Sequence, residues 1–217
     1  MTEAELVERY PLLYHMAADG SWPSIRDFGL LSVSALLDRY GMEGETRFAI
    51  ESARRPASVT IVRDGLPPAT VRDNKPMYEK SLLRILQDEL TPRDWYETLN
   101  RKAFFWVEKV RLERLLAAYA KDPQIVLTLD TRLLVAAHRE RVRLCRINSG
   151  QTLYDAQPRG LRTFLPIEDY PSAGGRVGTK LRPKVAELVV EGGVPDVARY
   201  VRKVERVERG SVSELPL

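Results

Sequence analysis

The stretch that decides the fold lies near the carboxyl end of the chain and is Val185-Ala186-Glu187-Leu188-Val189-Val190. A short run of Val, Leu and Ala of this length predicts a β-strand. Side chains alternate between the two faces of a strand, so Glu187 is expected on the same face as Val185 and Val189. A carboxylate among apolar neighbours is either a solvent-facing residue of a half-exposed strand or a functional group. The residues alone leave both interpretations open.

Outward from this run, the apolar patterns predict helices mainly in the first half of the chain and strands in the second. Thr91, Pro92 and Asp94 have the order of a helix start, with a capping residue, a proline and an acid three residues after the cap. Residues 148–182 show no clear periodicity, and loops of this length inside a domain are often functional. The predicted fold class is α+β.

The predicted elements cover most of the chain. Helices are expected between residues 21 and 29, between 32 and 41, and over 43–54, 77–90, 91 onward, 108–120 and 130–140. Strands are expected over residues 12–16, 59–62, 69–71, 103–107, 125–129, 142–147 and 185–190, whereas residues 201–207 fit either state.

The composition predicts a single domain over residues 1–217, with a core at about residues 10–209 and a short C-terminal tail. Hydrophobic residues make up 44% of the chain, which is enough to form a buried core. No apolar stretch approaches the ~20 residues that span a bilayer, and the acidic start lacks the features of a signal peptide. With one cysteine and two histidines, neither a disulfide nor a metal site is expected. We therefore expect a cytoplasmic protein without membrane contact; its oligomeric state is left open.

Positive charge is concentrated in one segment. The whole chain carries a net charge of +4, whereas residues 132–162 contain seven arginines and two acids and so carry +5. The segment has no lysine, and arginine is the side chain suited to bidentate contacts with phosphate. The pattern permits a nucleic-acid partner without requiring one.

Four pieces of sequence, taken in their order along the chain, resemble the DarT-type ADP-ribosyltransferases, which attach ADP-ribose from NAD to bases in DNA. The resemblance extends over about residues 13–207 and implies an ADP-ribosyltransferase-like split β-sheet core. The pieces are Leu13-Tyr14-His15-Met16 with Trp22-Pro23-Ser24-Ile25 and Phe28-Gly29-Leu30-Leu31-Ser32; Ala103-Phe104-Phe105-Trp106; residues 125–129 with 142–150; and the run at 185–190 followed by Val194-Pro195-Asp196.

The resemblance implies roles for residues around the nicotinamide ribose. Glu187 matches the catalytic glutamate, which accepts the ribose 2′-hydroxyl and stabilises an oxocarbenium-like transition state. His15 would contact the NAD ribose or carboxamide, and Tyr14 would help to shape that pocket.

The resemblance also implies an arginine on the NAD pyrophosphate and an aromatic side chain on the nicotinamide. Arg72 is the favoured arginine, although the spacing does not exclude Arg55 or Arg101. Phe105 or Trp106 would stack on nicotinamide, with plain core packing as the alternative.

The acceptor is expected on the other side of the site. Asn148 and Ser149 stand where the substrate loop of the family begins, and they either contact the acceptor or form an ordinary turn. Arg159 and Arg162 either contact nucleic-acid phosphates or form a solvated basic loop. Two aromatic residues of the same loop are candidates for stacking an unpaired base, Tyr154 and Phe164.

The sequence departs from the DarT pattern in two places and leaves other functions open. Residues 77–99 are a helical insertion, and Val185 stands where DNA-modifying members have a polar residue. The leading hypothesis is a NAD-dependent ADP-ribosyltransferase acting on nucleic acid, in the setting of a toxin with its antitoxin or of phage defence. The alternatives are a protein or small-molecule acceptor, a relative of the RNA 2′-phosphotransferases, and a non-catalytic module that binds nucleotide or nucleic acid.

Overall fold

Residues 1–153, 157–171 and 184–217 are described by the computed structural model. Within these ranges the chain forms eight α-helices, which are α1 Glu3–Arg9, α2 Trp22–Phe28, α3 Val33–Arg39, α4 Gly44–Glu51, α5 Glu79–Leu83, α6 Pro92–Asn100, α7 Lys109–Ala118 and α8 Thr131–His138. The eleven strands are β1 Leu12–Ala18, β2 Leu30–Leu31, β3 Val59–Arg63, β4 Leu66–Val71, β5 Lys102–Trp106, β6 Gln124–Asp130, β7 Val142–Cys145, β8 Glu187–Glu191, β9 Gly193–Val194, β10 Val201–Glu208 and β11 Ser211–Leu215.

Seven of these strands form one antiparallel sheet with the order β11-β10-β6-β1-β5-β8-β7. Two small two-stranded sheets, β2 with β9 and β3 with β4, stand beside it. The α+β prediction is confirmed. Six of the eight described α-helices end by Asn100, as expected, but five of the eleven strands also lie in the first half of the chain.

The large sheet narrows at its centre, between β1 and β5. These two strands share a single register pair, Tyr14 with Trp106, whereas β1 shares seven pairs with β6 and β5 shares five with β8. The sheet therefore consists of two well-paired halves that meet at one point. Beyond this pair the backbones of β1 and β5 have no register pairs with each other, and this leaves a gap in the middle of the sheet.

Local signals in the sequence account for the helix ends. Thr91 accepts from the backbone N–H of Asp94 while the Asp94 carboxylate accepts from Thr91, which is the predicted capping box. Ser32 and Asp130 cap α3 and α8 with a single bond each, because their side chains accept from the backbone N–H three residues later. Gly29 ends α2 at a φ of 89°, and a Cβ there would lie 2.4 Å from Pro195 Cα, so the position accepts only glycine.

Apolar side chains cover both faces of the sheet. On one face Leu13, Leu127 and Leu188 are fully buried together with residues of α1 and α8. On the other face α7 places Leu112 against Met16. Full burial of a leucine side chain is worth about 1.5–3 kcal/mol relative to exposure, so these two layers hold the strands in place.

The predicted helix over residues 77–90 is wrong for most of its length. Only α5, of five residues, is α-helical there. Asp88 and Glu89 have φ values of 56° and 58°, which no helix contains. The reason is tertiary: Leu86 forms a bridge with Arg159, and the backbone N–H of Gln87 donates to the Arg159 carbonyl at 2.8 Å, so the segment leaves the helical path to bind a distant loop.

The predicted limits of the core are too narrow at both ends. Leu6 of α1 is fully buried in the main core, and the residues expected to form a C-terminal tail instead form β11, which pairs with β10. The ambiguous segment at 201–207 lies within β10 because its partner β6 satisfies its backbone groups. In the part of the chain that the structure describes, no helix is long and apolar enough to cross a bilayer.

Candidate functional site

A cavity of about 470 Å³ lies at the gap in the sheet. Its walls come from β1, β5, the end of β4 and the loop at residues 148–151, and Glu187 lies at its edge. This volume falls in the range of about 300–1,000 Å³ that is typical of small-molecule sites. The residues named from the sequence that line it are Tyr14, His15, Arg72 with its competitor Arg55, Phe105, Trp106, Asn148, Ser149 and Glu187.

Glu187 is the first residue of β8 and is held by the loop opposite. Its side chain is only 4% exposed. The Ser149 backbone N–H donates to Oε1 at 3.1 Å, and the Ser149 hydroxyl donates to Oε2 at 2.7 Å. Both carboxylate oxygens therefore have a defined position, and the interpretation of a solvent-facing glutamate is wrong.

The environment of Glu187 sets its proton affinity. Burial raises the pKa of the carboxyl to about 7 because the charged form loses its hydration. The two bonds from Ser149 and the positive charges of Arg111 and Arg159 act in the opposite direction and favour the carboxylate. The group is thus divided between its acid and its base form near neutral pH, as is typical of acid–base and electrostatic catalysts.

His15 lies across the gap on β1. Its Nδ1 is 2.9 Å from the carbonyl oxygen of Phe104 on β5, so Nδ1 carries the hydrogen and Nε2 is left as an acceptor. Burial lowers the pKa of the imidazole to about 4, and the nearby Arg72 charge acts in the same direction. His15 is therefore neutral, with a fixed tautomer, in the gap that the single β1–β5 pair leaves open.

Arg72 follows the last residue of β4 and provides a cation in the same cavity. Its Nη2 donates to the Gln124 side-chain oxygen, and its guanidinium lies 4.8 Å above the ring of Tyr119. Its Nε is buried and has no hydrogen-bond partner among the described residues. A buried, unpaired guanidinium donor is costly, and an anionic ligand would satisfy it.

The two competing arginines are less suited to a ligand. Arg55 is buried, and its guanidinium donates to the carbonyls of Ile50 and Arg72 and to the Asn100 side chain. Arg101 lies on the surface, is paired with Glu97 at 2.9 Å, and is not among the residues that line the cavity. Of the three predicted candidates, Arg72 is the one with an unpaired donor at the cavity.

The structure corrects the role expected of Phe105. Its side chain is 1% exposed and belongs to the main core, with its ring 5.8 Å from that of His15. Strand alternation instead turns Phe104 and Trp106 to the other face, where both are partly exposed and line the cavity. Trp106 stands opposite Glu187 in the β5–β8 register and offers an aromatic side chain to a planar ligand.

The predicted acceptor residues separate into two groups. Asn148 and Ser149 line the cavity, and Arg162 is exposed. The predicted phosphate contact of Arg159 is wrong. Its side chain is 1% exposed and its guanidinium donates to backbone carbonyls of its own loop, so it is not placed to contact phosphates. Phe164 is not among the residues that line the cavity, and its ring stacks on that of Trp95 with the centroids 5.9 Å apart. Tyr154 lies outside the described residues.

Several cavity residues were missed. Asn100 ends α6 and Lys102 begins β5, and both line the cavity. Tyr119 donates from its hydroxyl to Asp73 at 2.8 Å beside Arg72. The one signal that pointed to Asn100 and Lys102 was their place directly before an apolar aromatic run. The bond from Ser149 to Glu187 had no local signal, because the two residues are 38 positions apart. Among the described residues, no group of three or more His, Cys, Asp or Glu side chains is placed to hold a metal ion.

Fold and site together define an α+β protein in which a buried carboxylate, a neutral histidine and an arginine whose Nε has no partner among the described residues line one cavity in the middle of an antiparallel sheet. The chain belongs to the family of unknown function DUF7002, whose match covers residues 11–201 and so includes all three residues. No curated protein matches the chain significantly.

Proposed function

We propose that this protein is a NAD-dependent mono-ADP-ribosyltransferase that transfers ADP-ribose to a base of a nucleic acid. The observation that carries the proposal is the convergence of Glu187, His15 and Arg72 on one cavity, although they lie on three separate parts of the chain. The narrow pairing of β1 with β5 agrees with a split β-sheet core of the ADP-ribosyltransferase type. Burial raises the pKa of Glu187, and strongly shifted pKa values cluster at functional sites. The buried carboxyl therefore argues against a non-catalytic module.

The residues of the cavity fit a dinucleotide with two charged phosphates. The unpaired Nε of Arg72 provides a donor for the pyrophosphate. The fixed Nε2 of His15 accepts a hydrogen bond from a ribose hydroxyl or a carboxamide. Trp106 offers an aromatic face beside Glu187 for the nicotinamide ring. NAD, when bound, supplies the ADP-ribosyl group with nicotinamide as its leaving group.

Glu187 performs the electrostatic work in this scheme. In its ionised form it accepts a hydrogen bond from a ribose hydroxyl and stabilises the positive charge that develops on the sugar. The two donors from Ser149 hold both carboxylate oxygens in place, so no reorganisation is needed as the charge develops. A pKa of about 7 also allows the same carboxylate to take a proton from the acceptor.

The acceptor side is supported by charge and by position. Asn148 and Ser149 line the cavity together with Glu187, at the start of the loop that leads to Arg162. Arg162 itself is exposed. Arginine side chains near a reaction site favour a polyanion such as DNA or RNA. Such an activity modifies genetic material and suits a toxin or phage-defence effector that is controlled by an antitoxin.

The test is NAD consumption by the purified protein, with and without mixed single-stranded DNA and RNA. Glu187→Gln should reduce turnover by about 10²–10³-fold, the loss typical of one electrostatic contributor. Glu214→Gln, on the exposed strand β11, is the matched control and should leave turnover unchanged. Mass spectrometry of treated DNA, RNA and protein pools identifies the acceptor. Full turnover in Glu187→Gln, or no NAD binding by the wild type, would refute the proposal, and a modified protein pool would refute the nucleic-acid acceptor.

A further inference from the structure

The loop that holds Glu187 is itself organised around a buried arginine. The Arg159 guanidinium donates from Nη1 to the Gln157 carbonyl at 2.6 Å and from Nη2 to the Asn148 carbonyl at 3.1 Å and to the Gln151 carbonyl. Its Nε donates to the Ser149 carbonyl at 3.3 Å. Three of these four carbonyls belong to residues 148–151, so one planar cation fixes the turn of that loop.

The backbone of Arg159 is fixed in turn by the irregular segment after α5. The Arg159 N–H donates to the Ile85 carbonyl at 2.9 Å, and the Gln87 N–H donates to the Arg159 carbonyl at 2.8 Å. The neighbouring Leu161 N–H donates to the Asp88 carboxylate at 2.7 Å. The segment that disrupts the predicted helix therefore has a defined task, which is to anchor Arg159.

Ser149 connects this arginine to the reacting carboxylate. Its carbonyl accepts from Arg159, while its N–H and its hydroxyl donate to the two oxygens of Glu187. The Asn148 carbonyl, which accepts from Nη2 of Arg159, lies in the same planar peptide group as the Ser149 N–H. Rotation of this peptide away from Arg159 would therefore also turn the N–H away from Glu187. The contacts thus form a continuous series from residues 85–88 through Arg159 and Ser149 to Glu187.

We propose that Arg159 is a positioning residue for catalysis: anchored by residues 85–88, it holds Ser149 in the orientation that fixes both carboxylate oxygens of Glu187. The inference rests on the proposed function only for its effect on rate. The positioning of the carboxyl group is a property of the folded chain and is measurable without NAD.

The measurement is the titration of the Glu187 carboxyl by ¹³C NMR, assigned by its loss in Glu187→Gln. The charged and titratable groups around Glu187 are Arg111 from α7, Cys145 from β7 and Arg159 itself. Arg159→Met removes both the planar set of guanidinium N–H donors and the charge. Arg159→Lys keeps the charge but removes that set of donors. A surface arginine, Arg84, follows α5 and donates to the Lys80 carbonyl of that helix, and Arg84→Met is the control.

If Arg159 positions Ser149, the Glu187 titration moves upward by roughly one pH unit in Arg159→Lys as well as in Arg159→Met, because the donors to the charged form are lost in both. Turnover then falls by up to about 10²-fold, and the acidic limb of its pH profile moves to higher pH. Arg84→Met should change neither. Should Arg159→Met fail to fold, Arg159→Lys decides the question.

Two outcomes would overturn the inference. A titration in folded Arg159→Lys that equals the wild type, with a shift only in Arg159→Met, would mean that Arg159 acts through its charge alone. Wild-type titration and turnover in both folded variants would mean that it only supports the loop. If the wild type itself does not turn over NAD, the titrations still decide the positioning role, and the failure then belongs to the proposed function.

Discussion

Replacing Glu187 with glutamine should make the protein more stable at alkaline pH. Burial raises the pKa of this carboxyl from 4.5 to about 7. Between these two values the folded state holds a proton that the unfolded state has released, so the free energy of unfolding falls as the pH rises through this window. One pKa unit corresponds to about 1.4 kcal/mol, and the full loss above pH 7 is therefore about 3 kcal/mol.

Glutamine removes this loss because it is neutral at every pH and, like the protonated acid, offers one acceptor and one donor to Ser149. The variant and the wild type should have similar stability near pH 5. At pH 8 the variant should be more stable by about 2–3 kcal/mol, and each kcal/mol raises the melting temperature of a domain of this size by about 2–4 °C.

The assay is urea unfolding of both proteins at a series of pH values from 5 to 8. The quantity to follow is the difference between the two curves, since His15 contributes the opposite slope: its lowered pKa of about 4 stabilises the protein as the pH rises towards 6.5. A difference that stays constant from pH 5 to pH 8, or a variant less stable than the wild type at pH 8, would refute the argument that burial of the Glu187 charge opposes folding.

Three further predictions follow from the same geometry. Transferase activity should fall about tenfold per pH unit below pH 7, because the proposed chemistry requires the ionised form of Glu187; a profile that is flat from pH 5 to pH 7 would contradict this. Arg72→Met should weaken NAD binding at least tenfold by calorimetry, whereas the same change at the exposed Arg101 should have no effect, and equal affinities would remove Arg72 from the site. Gly29→Ala should lower the free energy of unfolding by more than about 1 kcal/mol, since its Cβ would lie 2.4 Å from Pro195 Cα at a positive φ; an unchanged urea midpoint would show that this contact relaxes.

Much of the secondary structure was predictable because its determinants are local. The Thr91–Asp94 capping box, the helix start at Asp130 and the apolar run of β6 involve residues within a few positions of each other, and all appear where they were expected. The prediction failed over residues 77–90 and in the C-terminal tail. Over residues 77–90 the decisive partner is Arg159, more than 70 positions away. In the tail the partner β10 is adjacent, and the missed signal was the local turn at Arg209-Gly210 that joins β10 to β11.

The candidate site divides along the same line. By itself the sequence determined which chemical groups exist: a lone acid in an apolar strand, a histidine at the end of another strand and a surplus of arginines. Only the tertiary structure decided which of them meet and in what state. His15 and Phe104 are 89 positions apart, and Ser149 and Glu187 are 38 apart, so neither bond has a local signature. Burial separates the pKa of Glu187 from that of an exposed glutamate, and burial is a property of the packed sheet rather than of any one segment.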